Sequence, residues 1–258
     1  MIRLQRRGAV YGELWFEEEP PAQPRVDVVL FRQRPSPVNA ARTTPFLSLV
    51  SDLGDARALD AAFDGGCRYE IRRAEAKDGL QAQLIAEPQA RLEEFRAFFD
   101  AFAQEKGIEP ADPGWLRAAC RAGQLALSAA CRDGVALVWH AYVVQGSAAR
   151  LQHSASRFRG QETGHRALVG RANRWLHWQD MRWLKERGVE RYDWGGLFAD
   201  ESTPERAGIN AFKRAFGGRE ERSYDCTLPV TAWGSFYLPL RDAWRRLSPA
   251  ARRKDGDR

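Results

Sequence analysis

The sequence predicts an α/β (α+β) protein in which a mixed β-sheet is flanked by helices, and three observations predict it. Residues 125–131, 135–144 and 149–153 read as consecutive strands separated by Arg132-Asp133-Gly134 and Gln145-Gly146-Ser147; Asp-Gly between apolar runs is a strong hairpin signal. A long helical pattern follows over 165–187, with Leu168, Val169, Ala172, Trp175, Leu176 and Trp183 on one side. A short apolar-aromatic run, 189–194, then stops at Gly195-Gly196, and a second helical pattern closes on Gly217-Gly218.

The remaining elements follow in order. Residues 4–16 hold two short runs broken at Arg6-Arg7-Gly8, the pattern of a strand pair, and the β-branched run 26–31 between prolines reads as a strand. Residues 34–45, punctuated by Pro35, Pro37, Asn39 and Pro45, read as loop. A helix over 68–77 ends at Asp78-Gly79, and 80–85 reads as a strand. Residues 91–105 form an amphipathic helix with Leu92, Phe95, Phe98, Phe99 and Phe102 on one side, stopped by Gly107. Pro113 opens another helix that runs to 121. From Arg241 to Arg258 the basic composition around Ser248-Pro249 reads as a frayed terminus.

A chain of 258 residues with 44% hydrophobic content can bury a large core, as one large domain or two modest ones. Apolar runs such as 135–139 fall far short of the roughly 20 residues of a membrane span, and no amino-terminal run combines basic residues with a long apolar segment. Cys67, Cys120, Cys131 and Cys226 are scattered without C-x-x-C or a histidine at ligand spacing, so reduced, mostly buried thiols and no metal are expected. A cytoplasmic protein fits. The net charge of +6 suits a polyanionic partner (a nucleotide, coenzyme A, tRNA or an anionic lipid-linked sugar) without choosing among them.

Candidate site residues cluster in the second half. Lys77, Lys106, Lys185, Lys213 and Lys254 are the only lysines among 40 basic residues, so an ammonium at 213, beside the apolar positions Ile209, Phe212 and Phe216, stands out. It is a compact charge able to sit beside a developing oxyanion, although a solvated lysine is the commoner use of such a position. Asp193, at the carboxyl end of its strand, is a proton acceptor, an amine positioner, or a residue that fixes the Gly195-Gly196 turn. His153 ends a strand close to the start of the long helix, where Gly160 and Gly164 with Arg159 or Arg166 would hold a phosphate on free backbone N–H groups. Arg171, Arg174 and Arg182 form a basic face on the long helix, a polyanion surface or an ordinary solvated one. His140 and His177, the latter on one strip with Asn173 and Asp180, read as structural.

The segments YDWGG (192–196) and GINAFKRAFGG (208–218), preceded by RANRWLHWQDMRWLKERG (171–188), resemble the carboxyl-terminal signature of the FemAB-like aminoacyl and acyl transferases, a branch of the GNAT acyltransferase superfamily. CRYEIRRAEAKDGL (67–80) resembles that family's arginine-rich helix. The resemblance implies a GNAT-like sheet splayed open to admit donor and acceptor, with a truncated or degenerate amino-terminal half: residues 1–110 a partial GNAT-like subdomain, 111–247 the acyltransferase core and 248–258 a disordered basic tail. By resemblance Phe212-Lys213 would hold or polarise the donor carbonyl. The GNAT pyrophosphate loop reads Gln or Arg, two residues, Gly, one residue, Gly or Ala; here Arg157-Phe158-Arg159-Gly160-Gln161-Glu162 departs at its last position, which leaves the donor open between acyl-CoA and aminoacyl-tRNA.

The expected function is direct acyl or aminoacyl transfer to an amine or hydroxyl of a cell-wall or surface-polysaccharide precursor. The acceptor would be a small molecule or a lipid-linked sugar or peptide, the last placing the protein at the inner face of the membrane, with tRNA as a partner where it carries the donor. No G-x-S-x-G and no cysteine with a histidine partner signals a covalent intermediate. The alternative is a GNAT-fold module that binds tRNA or an anionic glycan without catalysis.

Overall fold

The chain opens with a hairpin, β1 (Ile2–Arg6) and β2 (Ala9–Trp15), continues through β3 (Val28–Arg34) and β4 (Arg42–Asp52), and enters two helices, α1 (Ala56–Ala62) and α2 (Gly65–Lys77). After β5 (Gln81–Ile85) come a 3₁₀ turn, α3 (Leu92–Lys106) and α4 (Pro113–Arg121), then β6 (Leu125–Arg132), β7 (Val135–Gln145) and β8 (Ala148–Ser156). The long α5 (Thr163–Glu186) leads to β9 (Arg191–Gly196), α6 (Pro204–Arg214), β10 (Arg219–Pro229) and α7 (Ala232–Leu247). This computed structural model describes residues 1–6, 8–85, 87–157 and 162–247; the tail 248–258 and Arg159 and Gly160 of the expected phosphate loop lie outside the described residues.

Local chemistry explains the element boundaries. Asp112 caps α4 by accepting from the Gly114 and Trp115 N–H groups, with Pro113 supplying a helix-compatible φ at the first position. Thr203 and Pro204 open α6 in the same way. Asp133 and Gly134 take φ of 50° and 77°, the left-handed pair a two-residue hairpin demands, and fold β6 onto β7.

Among the described residues ten strands join one mixed sheet in the order β1-β2-β3-β10-β4-β9-β8-β7-β6-β5. Pairing is antiparallel except for β2 with β3 and β8 with β9. β10 lies between β3 and β4, so the last strand of the chain ties together strands from its first fifth. Helices cover both faces: α3, α4 and α7 pack over a core that includes Trp15, Phe95, Trp115 and Trp139, and α1, α2, α5 and α6 over one that includes Tyr142, Leu176, Trp194 and Phe216. β6 and β7, buried on both faces, carry the small residues Ala126, Ala129, Ala130 and Ala141 where helices come close.

Two expectations are corrected here, and one strand, β10 (Arg219–Pro229), lies beyond them. Residues 42–45 are strand rather than loop: Pro45 lies where β4 pairs with β10 alone, and β9 joins the other side only from Ser48 onward, so its missing N–H costs no ladder bond. β10 is mostly polar and carries no strand pattern of its own. Residues 241–247 are not a frayed end but part of α7, an amphipathic helix with Tyr237 and Leu238 buried against the sheet.

Candidate active site

The site is built where β8 and β9 part. Their register runs Ala148↔Arg191, Ala149↔Tyr192, Arg150↔Asp193 and then stops, while β8 continues to Ser156 and β9 stays paired with β4 as far as Ser48↔Gly196. The resulting fork opens on a cleft of about 1430 Å³ lined by Glu13, Trp15, Arg32, Arg150 and His153 from the sheet side and by Arg206 and Ile209 from α6, among others.

Lys213 follows Arg206 and Ile209 on the same strip of α6, at i+7 and i+4. It sits just behind the cleft wall, partly buried, and its Nζ donates to the Gly196 carbonyl at 2.6 Å, at the tip of the fork. Burial, then repulsion from Arg150, push its pKa down to about 8, against a pull upward from Asp193. Two features hold this helix in place. Asn210 accepts from Phe198 N–H and donates to Phe198 O and Glu201, pinning the loop after β9. At its other end Gly217 and Gly218 take φ of 70° and 93°, and a Cβ on Gly218 would lie 2.6 Å from the Val50 carbonyl oxygen, so no other residue lets the chain pass this close to β4.

Arg150, which sequence reasoning missed, is the second cation of the fork. Its guanidinium lies over the rings of Trp15 and Phe46, 5.2 and 5.6 Å from their centroids, and donates to Gln152. Its Nε is buried without an acceptor, and burial lowers its pKa. Among the described residues neither Arg150 nor Lys213 has a carboxylate within salt-bridge distance, although Asp193 lies close enough to act on both electrostatically.

Asp193 itself is fully buried and saturated. Oδ2 accepts from Gln33 Nε2 at 2.8 Å, Ser48 Oγ at 2.9 Å and Arg191 at 3.3 Å, and Oδ1 accepts from the Gly195 N–H at 2.8 Å. A carboxylate held by four donors is a turn anchor, fixed in place at the root of the fork. His153 lines the cleft with its ring packed by Phe99 at 4.5 Å and, farther off, Phe95 and Trp115. Burial and the nearby Arg150 push its pKa down to about 4, so the imidazole is neutral at physiological pH.

The other expected groups are placed differently. Phe212 turns from the cleft toward His177 and Phe216 and lies under the Arg174 guanidinium. Gly164 and Arg166 fall in the first turn of α5, whose N-cap is Glu162, an acidic side chain where a phosphate would sit. The basic face of α5 is covered in part: α2 packs against it, Arg171 makes a bidentate pair with Asp78 at 2.6 and 3.1 Å, and Arg174 pairs with Glu70, while Arg182 is exposed. Arg182 lies over Trp178.

Beneath α5 a buried network joins His140, Tyr142, His177, Asp180 and Tyr192. His140 Nδ1 is 2.7 Å from Asp180 Oδ2, which also accepts from Tyr142 OH at 2.6 Å, and His177 Nδ1 meets Tyr192 OH at 2.8 Å. The ligand atoms of His140, His177 and Asp180 lie within 4.8 Å of one another. Both ring nitrogens of His140 are engaged by Asp180 and Asn173, while Asp180 Oδ1 is buried without a hydrogen-bond partner.

No family model and no curated protein matches the chain. Solved structures do. A crystal structure of FemX superposes with a TM-score of 0.57 at 14% identity, covering 69% of this chain and 61% of FemX, so the chain spans about three fifths of that protein. The C-terminal domain of a putative lysylphosphatidylglycerol synthetase from Agrobacterium fabrum gives a TM-score of 0.50 at 16% identity over 82% of this chain and 71% of that one. L-PGS from Bacillus licheniformis gives 0.51 at 13% identity over 83% and 70%. At these identities the likeness is one of fold.

Proposed function

We propose that this chain, which has the FemAB-like GNAT fold, is a transferase that moves an acyl or aminoacyl group from an activated ester or thioester to an amine or hydroxyl by direct attack. One observation carries the reading: two cations, Arg150 and Lys213, are held in the fork between β8 and β9 with no salt-bridge partner among the described residues, beside a cleft large enough for a substrate. Burying charge without a partner is costly, and a site that does so is matched to negative charge that arrives with, or develops on, the substrate.

In this reading the donor carbonyl takes the place of Gly196 O as the acceptor for Lys213 Nζ. The acceptor nucleophile attacks the carbonyl carbon; a C–N or C–O bond forms, the bond to the carrier breaks, and the nucleophile's proton passes by way of cleft water to the departing oxygen or sulfur. Lys213 and Arg150 stabilise the oxyanion between these events. Asp193 keeps both cations charged and fixes the Gly195 turn. His153, neutral at physiological pH, accepts a hydrogen bond from the nucleophile and so orients it. A donor of the aminoacyl-tRNA kind is favoured over acyl-CoA because Glu162 occupies the N-terminus of α5, where a pyrophosphate would meet a like charge. A cell-wall or surface-glycan precursor, or a lipid headgroup of the sort named by the lysylphosphatidylglycerol synthetase likeness, is the acceptor class.

The test is a transfer assay with a radiolabelled pool of aminoacyl-tRNA and, separately, with acetyl-CoA, each against amine-bearing and hydroxyl-bearing lipid-linked acceptors. Product from the tRNA pool that disappears after RNase treatment supports the reading. Product from acetyl-CoA alone reassigns the donor, and a stoichiometric complex without product under either condition removes the transferase.

A further inference from the structure

Large apolar side chains exposed to solvent are concentrated on one helix. On α7, Trp233, Phe236, Leu240 and Trp244 are 47%, 63%, 57% and 53% exposed. Their spacing of three, four and four residues sets them in one stripe along the helix. The neighbouring strip, Tyr237 and Leu238, is buried on the sheet, and Trp233 ties the helix to the first hairpin by donating to the Gly8 carbonyl at 3.1 Å, so Phe236 and Leu240 are the side chains whose large exposed surface lies farthest from these contacts.

The sequence at this end of the chain is predominantly basic. Asp242 is the only carboxylate in α7, and it is neutralised by Arg241 and by Arg42 of β4. The sequence from 241 to 258 adds Arg245, Arg246, Arg252, Arg253, Lys254 and Arg258 against only Asp255 and Asp257. Residues 248–258 offer Pro249, Ala250 and Ala251 as their only apolar side chains, too little to cover such a stripe. Pairing two copies through α7 would bring these like charges together.

We propose that α7 docks this protein on an anionic bilayer, with the Trp233, Phe236 and Leu240 stripe entering the headgroup boundary and the basic residues meeting lipid phosphates. The helix is placed for this. Its inner side meets Tyr11 through the Tyr237 ring and the Arg241 guanidinium, and Tyr11, Glu13 and Trp15 alternate along one face of β2, the latter two lining the cleft. A bilayer under α7 therefore lies next to the cleft, within reach of an acceptor anchored in it. The docking does not depend on the transfer reaction and is measured without donor or acceptor.

The experiment is co-flotation of the full chain with phosphatidylglycerol-containing and with pure phosphatidylcholine vesicles, at low and high salt, for wild type and a Phe236→Ser/Leu240→Ser double variant. Wild type floats with the anionic vesicles and is released by salt, tryptophan emission is quenched by lipids brominated in the upper acyl chain, and the double variant binds about tenfold more weakly or less with an unchanged melting temperature. Both side chains are exposed, so folding is retained, and the quenching arm needs no variant. Absence of flotation, equal flotation on both vesicle types, or unchanged binding by the double variant overturns the proposal. So does a lipid-free dimer that the double variant converts to monomer, which makes the stripe a protein interface.

Discussion

Arg150 and Asp193 are partners in the last rung that joins β8 to β9 before the two strands separate. That rung sets opposite charges at the root of the fork and leaves Lys213, on α6, to face the tip. The same geometry makes each group's contribution to stability and to chemistry separable.

Lys213 burdens the folded state. The unfolded chain holds its proton up to about pH 10.5 and the folded chain releases it at about 8, so between these values stability rises with pH. Lys213→Met should raise stability at pH 7 by about 1–2 kcal/mol, a figure discounted for partial exposure, and the gain should vanish as pH approaches 10.5. Melting temperatures of both proteins from pH 6 to 10.5 check this; equal curves would mean the amine is not destabilised by its site.

His153 makes the fold acid-sensitive. Its folded pKa of about 4 lies below the ordinary 6.5, so the unfolded chain takes up a proton first and stability falls as pH drops from about 6.5 to 4. His153→Phe should flatten that part of the pH–stability curve while matching its aromatic neighbours. A variant that loses stability as steeply as wild type over this range counts against the burial.

Asp193→Asn should cost about 2–4 kcal/mol, because a buried amide cannot accept from Gln33, Ser48, Arg191 and Gly195 together and leaves Arg191 with Glu221 alone. Urea unfolding measures it. A variant with native stability and depressed turnover would instead make Asp193 a proton acceptor.

Gly218→Ala forces a Cβ to within 2.6 Å of the Val50 carbonyl at φ of 93°. A loss of about 2 kcal/mol or more is expected, with α6 displaced from the fork and transfer reduced in step. A neutral outcome in both readouts would show that the close approach is dispensable.

Much of the core of the sheet was legible in the sequence, because its signals are local: Asp133-Gly134 names its own hairpin, and the apolar side of α5 repeats every three or four residues. β10 was not, since its polar run from Arg219 to Pro229 is stabilised by partners far away in sequence, such as Arg32 on Asp225. Lys213 could be singled out by the rarity of lysine. Arg150 could not, because nothing in its strand distinguishes it from the chain's many other arginines; its role follows from where β8 leaves β9. The basic face of α5 shows the complementary limit: periodicity identifies the face, and only packing shows that Asp78 and Glu70 pair with Arg171 and Arg174 while Arg182 stays exposed.

The central claim is that the Lys213 ammonium stabilises charge developing on the transferred carbonyl. Single-turnover transfer by Lys213→Met at pH 7, with the donor identified in the transfer assay held at saturation, tests it most directly. A fall of about a hundredfold or more in the rate with donor affinity nearly unchanged is predicted; a rate within about twofold of wild type would contradict it.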